Sequence, residues 1–324
     1  MGTHLLTSRS ARSFSRAPCV GMLCAATLLL SVMFLRAAGA AQRDEKIEAN
    51  SITLGLVSAI NRPAVEAHFG DFINYVARKL SLGPQIEGKV MVAPTPFELV
   101  KLLEQRRVDF YMESVYPTYT INYVHGVGKT LLRRWKGGLA EYQSLIFTQR
   151  DSGIRRLDDL RGKTMVFEDA GSTSGYLMAK FFLQRRGLKL AEKREFDANA
   201  PAADIFYFFA GSQLRLLDAV LTKRAAAGAF SNDDYTKLRD MEKAQIDVLA
   251  QTERFPRHLV SVRSDLAPGM ASRLEEILLA MHENDAGRKI LERTDQTTKF
   301  DRLPGGEAAL RRRLLDSFYS PDKR

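Results

Sequence analysis

The run Lys163-Thr164-Met165-Val166-Phe167-Glu168-Asp169-Ala170-Gly171-Ser172-Thr173-Ser174-Gly175-Tyr176-Leu177-Met178-Ala179-Lys180-Phe181-Phe182-Leu183 reads as strand, turn and helix in succession. Lys163 to Glu168 is the strand, and the helix starts at Tyr176. A strand that turns through small hydroxyl residues into a helix leaves free backbone N–H groups at the positive end of the helix dipole. Ser172, Thr173 and Ser174 add hydroxyl donors beside them, so with Gly175 the turn can receive a small oxyanion. The same hexapeptide is equally compatible with an ordinary Ser/Thr helix cap.

The pattern repeats outward. Ile52 to Val57 is a strand, and Phe69, Phe72, Ile73, Val76 and Leu80 then recur at helical spacing. Lys89 to Val92 is a second strand. Thr95-Pro96-Phe97-Glu98 follows as a capping box with proline at the first helical position. Val108 to Met112 returns as a third strand, and β-α-β-α-β implies a largely parallel sheet covered by helices. A second set follows the turn at Asp151-Ser152-Gly153. It has the opening run, a strand at Ile205 to Phe209, a helix through Leu214, Leu217 and Leu221, and strands at Ala226 to Phe230, Ile246 to Leu249 and Leu259 to Val262. From Pro268 the tail reads as helix.

Two such sets predict an α/β protein of two lobes: 41–145 for the first part of lobe 1, 146–254 for lobe 2, and 255–324 for the return to lobe 1 with C-terminal helices. Glu141 to Phe147 and Arg257 to Val262 are the crossover candidates. In such folds ligands sit at the carboxyl ends of the strands.

Residues 1–40 read as a signal peptide: Arg9, Arg12 and Arg16, then an uncharged apolar run Val20 to Leu35, then Ala38-Gly39-Ala40. That run would span roughly 24 Å as a helix, short of the about 30 Å hydrocarbon core. A cleaved signal is favoured over a retained anchor, and a periplasmic location is expected. Both cysteines, Cys19 and Cys24, lie inside the segment, so no disulfide or thiolate chemistry is expected after it. Its four arginines and no acids reduce the formal net charge from +10 to +6 on removal. The remaining charges alternate in sign along helical stretches, which disfavours a nucleic-acid partner, and a monomer is expected.

Catalytic and metal chemistry find little support. His4, His68, His125, His258 and His282 show no ligand spacing, so no metal and no cofactor are expected. Gly126-Val127-Gly128-Lys129-Thr130 lacks the first glycine of a phosphate loop and reads as a turn before a strand at Leu131-Leu132. Ser172 and Ser174 do not sit in a nucleophile elbow. The chain is therefore expected not to be an enzyme, a serine hydrolase being the least favoured alternative. Three further loops share the strand-to-helix position: Glu113-Ser114-Val115-Tyr116, Ala210-Gly211-Ser212-Gln213, and Ser231-Asn232-Asp233-Asp234. Each alone reads as a cap or turn. Together they add Glu113, Tyr116, Gln213 and Asn232 to the candidate ligand residues. A carboxylate at Glu113 calls for a cationic group on the ligand or for a protein arginine such as Arg62, and Tyr116 can stack on a solute.

On these residues the chain resembles the periplasmic solute-binding proteins of phosphate/phosphite/phosphonate ABC transporters. The resemblance runs from about Ile52 to Leu266. It is carried by Arg150-Asp151-Ser152-Gly153-Ile154, Leu157-Asp158-Asp159-Leu160-Arg161-Gly162-Lys163-Thr164 and Gly171 to Tyr176, with Val108-Asp109-Phe110, Phe209-Ala210-Gly211-Ser212 and Asp218-Ala219-Val220 in support. It implies a type II periplasmic-binding fold, two Rossmann-like lobes joined by two crossover strands. It also implies that Ser172, Thr173 and Ser174 hold phosphonate oxygens, that Tyr116 is the loop aromatic, and that an ABC permease is the membrane partner. Where members often carry Gly-Ser-His-Asp this chain has Gly211-Ser212-Gln213-Leu214, and Glu113-Ser114-Val115 replaces a small-residue loop. The expected function is capture of a small oxyanion-bearing solute, an aminophosphonate included, in an interlobe cleft. The alternative is a periplasmic sensor partnered with a separate membrane chain.

Overall fold

A computed structural model describes residues 50–58, 61–81, 85–193 and 204–319. The signal-peptide reading of residues 1–40 and both cysteines lie outside the described residues. The chain opens β1 (Ser51–Val57), α1 (Arg62–Leu80), β2 (Glu87–Ala93), α2 (Pro96–Glu104), β3 (Phe110–Glu113), α3 (Val115–Tyr119) and β4 (Gly128–Lys136). Phe69, Phe72, Ile73, Val76 and Leu80 form the buried face of α1, as their spacing requires. Thr95 caps α2, its hydroxyl accepting the Glu98 N–H at 3.2 Å.

A short strand β5 (Glu141–Tyr142) leads into β6 (Ser144–Gln149), β7 (Lys163–Phe167), α4 (Met178–Arg185), β8 (Leu190–Glu192), β9 (Ile205–Phe209), α5 (Gln213–Leu221), β10 (Ala227–Ser231), α6 (Asn232–Lys237), α7 (Asp240–Lys243) and β11 (Ile246–Gln251). The chain then returns through β12 (Phe255–Pro256) to β13 (His258–Arg263), α8 (Pro268–Ala280), α9 (Asp285–Arg293), β14 (Thr297–Asp301) and α10 (Gly306–Tyr319).

These strands make two six-stranded sheets, ordered β14-β4-β13-β3-β1-β2 and β11-β6-β10-β7-β9-β8. In the first, β1, β2 and β3 are parallel, while β13 and β14 run antiparallel to their neighbours. In the second, β10, β7, β9 and β8 are parallel and β6 is antiparallel to both β10 and β11. The chain passes between the sheets twice, and the two passing strands pair with each other: Tyr142 lies opposite Phe255 and Glu141 opposite Pro256. This is the two-lobed α/β arrangement the sequence implied, with antiparallel returns added to each parallel core.

Three local differences have physical causes. The turn read at Gly126 to Thr130 is shorter than expected: β4 begins at Gly128, because Gly128 and Lys129 pair with Arg263 and Val262 of β13. The helix expected from Tyr176 is preceded by a wide π-type turn, Thr173–Leu177, in which Leu177 N–H reaches back to the Ser172 carbonyl at 3.1 Å. The tail is not helical throughout. Thr297–Asp301 adds an edge strand to β4, anchored by two hydrogen bonds from Arg133 to Asp301, at 2.9 and 2.6 Å. The last helix, α10, lays Phe318 on Phe181 of α4, ring centroids 4.9 Å apart.

Candidate functional site

The opening segment of the sequence forms a tight hydroxyl turn at the carboxyl end of β7. Ser172, in extended backbone, caps it: its Oγ accepts the Gly175 N–H at 3.0 Å and donates to Glu168 Oε2 at 2.9 Å. Position 175 has no room for a side chain, since a Cβ there would stand 2.8 Å from both Glu168 Oε2 and Ser172 Oγ. Thr173 is buried and reaches the other lobe. Its Oγ1 accepts the Tyr116 N–H at 3.0 Å and donates to Ser114 Oγ at 2.9 Å. The Ser174 carbonyl accepts the Ser144 hydroxyl at 2.6 Å. The Ser172 and Thr173 hydroxyls are thus satisfied within the protein, and the Ser174 hydroxyl lies beside the Tyr142 phenol.

Tyr142, on β5, and Arg257, between β12 and β13, stand beside the turn. Tyr142 is fully buried; burial raises its phenol, opposed by Arg257 and by the Thr173 and Ser174 hydroxyls. The Arg257 guanidinium lies 4.5 Å from the centre of the Tyr142 ring and 3.3 Å from Asp233 Oδ2. Its Nε is buried with no hydrogen-bond partner among the described residues. Glu168, half-buried, has its carboxyl raised by desolvation, with Ser172 and Arg257 opposing and Asp169 and Asp234 reinforcing.

Glu113 lies one residue before Ser114 but faces a different space. It lines a cavity of about 440 Å³ whose other walls include Val57, Asn61, His68, Arg134 and Lys136. Burial pushes the Glu113 carboxyl up to about 7, although the Val57 and Ser114 N–H groups, Arg134 and Lys136 all favour the ionised form. Val57 N–H donates to its Oε1 at 2.7 Å. The basic groups near it are Arg134 and Lys136, not Arg62, which begins α1 and is exposed. Arg134 and Lys136 both hold Asp295, at 3.0 and 2.7 Å. Burial and the adjacent Arg134, Arg257 and Lys136 keep His258 neutral, well below its ordinary pKa.

The structure therefore brings Ser172, Thr173, Ser174, Gly175 and Tyr116 into one hydrogen-bonded group, with Glu113 adjoining through Ser114. Gln213 opens α5, half-buried, after Ser212 caps that helix by accepting the Arg215 N–H at 3.4 Å. Asn232 is engaged within the fold, where its Oδ1 accepts the Gln143 N–H at 2.8 Å and ties α6 to the segment that follows β5. Arg257, Tyr142, Glu168, Arg134 and Lys136 escaped the sequence reading. A basic pair, Arg257-His258, at the predicted crossover was the available signal for the first. Among the described residues no group of three or more His, Cys, Asp or Glu could hold a metal ion, and no helix is long and apolar enough to cross a membrane.

Two α/β lobes, two crossing strands and facing loops at the strand ends define the class of two-lobed extracytoplasmic solute-binding proteins. Residues 54–303 match the model of one family in that class, "ABC transporter, phosphonate, periplasmic substrate-binding protein", and the chain belongs to that family. It is accordingly an extracytoplasmic, solute-binding component of an ABC transport system; membership adds nothing to the sensing or hydrolase readings. Among solved structures, the XAC2383 protein of Xanthomonas citri with ATP is 25% identical, with a TM-score of 0.75, over 83% of this chain and 97% of that one. The same protein with chloride is 27% identical, TM-score 0.74, over 83% and 98%. PhnD1 of Prochlorococcus marinus with methylphosphonate shares the fold at 15% identity, TM-score 0.61, over 83% and 97%.

Proposed function

We propose that this protein closes over a small solute bearing an oxyanion, held by the Ser172–Gly175 turn on one lobe and by Ser114–Tyr116 at the start of α3 on the other. The observation that carries this reading is the Thr173 hydroxyl, which already bonds Tyr116 N–H and Ser114 Oγ across the cleft. A phosphonate oxygen entering there meets backbone N–H groups, three hydroxyls and the Arg257 charge. Glu113, one residue before Ser114, lines the adjoining cavity, into which the amine of an aminophosphonate would extend. Gln213 and Asn232, the first residues of α5 and α6, flank the site. A second reading keeps the same anchor with a larger phosphorylated solute. It is favoured by the 440 Å³ cavity beside Glu113 and by the ATP bound to the 25%-identical XAC2383 protein.

The proposed lobe limits are residues 41–145 with 255–324, and residues 146–254; the pairing of β5 with β12 supports a hinge at the two crossings, and α10 packs across onto α4. The protein acts by binding without turnover, as a monomer delivering solute to a separate permease, and no nucleic acid takes part. Residues 1–40 are the export signal, and mass spectrometry of the periplasmic form tests their removal.

Thermal melting against phosphate, phosphite, methylphosphonate, aminoethylphosphonate, ATP, sulfonates and carboxylates tests the function. A true solute at a hundred times its dissociation constant adds about 2.7 kcal/mol of stability. No stabilisation by any phosphorus oxyanion would contradict the phosphonate-like solute proposed.

A further inference from the structure

We propose that Glu168 makes the pocket selective for oxyacids that keep a proton when bound: its carboxylate accepts the P–OH hydrogen of a singly protonated phosphonate and turns away a sulfonate, which carries none. The proposal rests on the reading that the Ser172–Gly175 turn holds the solute's oxyanion.

Glu168 follows the last residue of β7, and its backbone is fixed on both sides. Its N–H donates to the Gly175 carbonyl at 3.1 Å, and its carbonyl accepts the Gly211 N–H at 2.8 Å. The carboxylate is thereby pressed against the hydroxyl turn, with Oε2 accepting the Ser172 hydroxyl and filling the space a side chain at 175 would need. Oε1 takes no hydrogen bond from the described residues, and no basic side chain forms an ion pair with Glu168 among them. The charged groups that face it are Asp169 beside it and Asp234 at the start of α6, both acidic, and Arg257 from the crossing strand.

An oxyanion using the turn's donors must approach this carboxylate. Oxygen against oxygen, each bearing charge and neither a proton, is repulsive in a half-buried site. One hydrogen between them converts the contact into a short charge-assisted bond. A phosphonate monoanion supplies that hydrogen. A sulfonate of the same charge and tetrahedral shape cannot. A site built to pair with a ligand hydroxyl rejects the analogue lacking it far more strongly than shape alone allows.

Burial raises the Glu168 carboxyl, so acid converts it to a donor, and either oxyanion then finds a partner. Alkali removes the ligand's own proton. The preference for phosphonate over sulfonate is therefore greatest at intermediate pH and shrinks on the acid side, while phosphonate affinity falls on the alkaline side.

Calorimetric titration of the exported protein with two matched pairs, methylphosphonate against methanesulfonate and aminoethylphosphonate against taurine, tests this. The wild type is expected to prefer the phosphonate of the bound pair by about a thousandfold or more. Glu168→Gln, whose amide can donate to a sulfonate, is expected to bring the pair within about tenfold. Equal wild-type affinities, or a preference that survives Glu168→Gln, overturn the proposal. The wild-type pH profile needs no variant, and a preference that does not shrink in acid also overturns it. If Ser172→Ala/Thr173→Ala leaves phosphonate affinity unchanged, the site reading itself fails and the proposal falls with it.

Discussion

Glu113 is half-buried, and the desolvation of its carboxyl keeps it protonated into the neutral range. Its pKa of about 7 exceeds the ordinary carboxylate value of 4.5. A raised acid favours the folded state fully below its unfolded pKa, and that contribution is lost as pH rises through the folded value. The wild type should therefore lose stability between pH 4.5 and about 7, by up to about 3 kcal/mol, and stay level above. Glu113→Gln is expected to flatten this segment of the profile, as measured by chemical denaturation across pH. A cationic solute that pairs with Glu113 should release a proton on binding near neutrality, seen as buffer-dependent calorimetric heats. The sequence showed this carboxylate at a strand end, but not its environment. Arg134 and Lys136 on β4, and Asp295 just before β14, lie far from Glu113 in the chain, and the β4–β13–β14 ladder brings them to it.

At the scale of elements, the hydroxyl turn and the α4 helix it opens were legible because local chemistry determines them. Gly175 cannot carry a Cβ, Ser172 caps the turn, and the apolar residues beyond repeat at helical spacing. Gly175→Ala should separate Ser172 from Glu168 and cost about 1–3 kcal/mol in denaturant unfolding, with a parallel loss of ligand affinity. Thr95→Ala, which removes only the α2 cap, is expected to cost about 1 kcal/mol and leave affinity unchanged. The π-type turn and the strand β14 were not legible. The first depends on Ser172 accepting from Leu177 rather than on composition, and the second on a partner edge supplied by β4.

For the whole molecule, alternating strands and helices pointed to two lobes, and the antiparallel pair of β5 and β12 supplies the double connection between them. A double-stranded hinge limits motion to rotation about one axis, which suits capture by closure. Small-angle scattering should show a smaller radius of gyration on saturation with solute; an unchanged radius would indicate binding without closure. The central claim is that the turn at the end of β7 holds the solute's oxyanion. Calorimetric affinity of Ser172→Ala/Thr173→Ala for the solute that stabilises the wild type tests it most directly, with melting temperature as the control for folding. Loss of two hydrogen bonds to a charged group predicts about 3 kcal/mol, a more than hundredfold weaker dissociation constant. A folded double variant that binds with wild-type affinity would contradict the account.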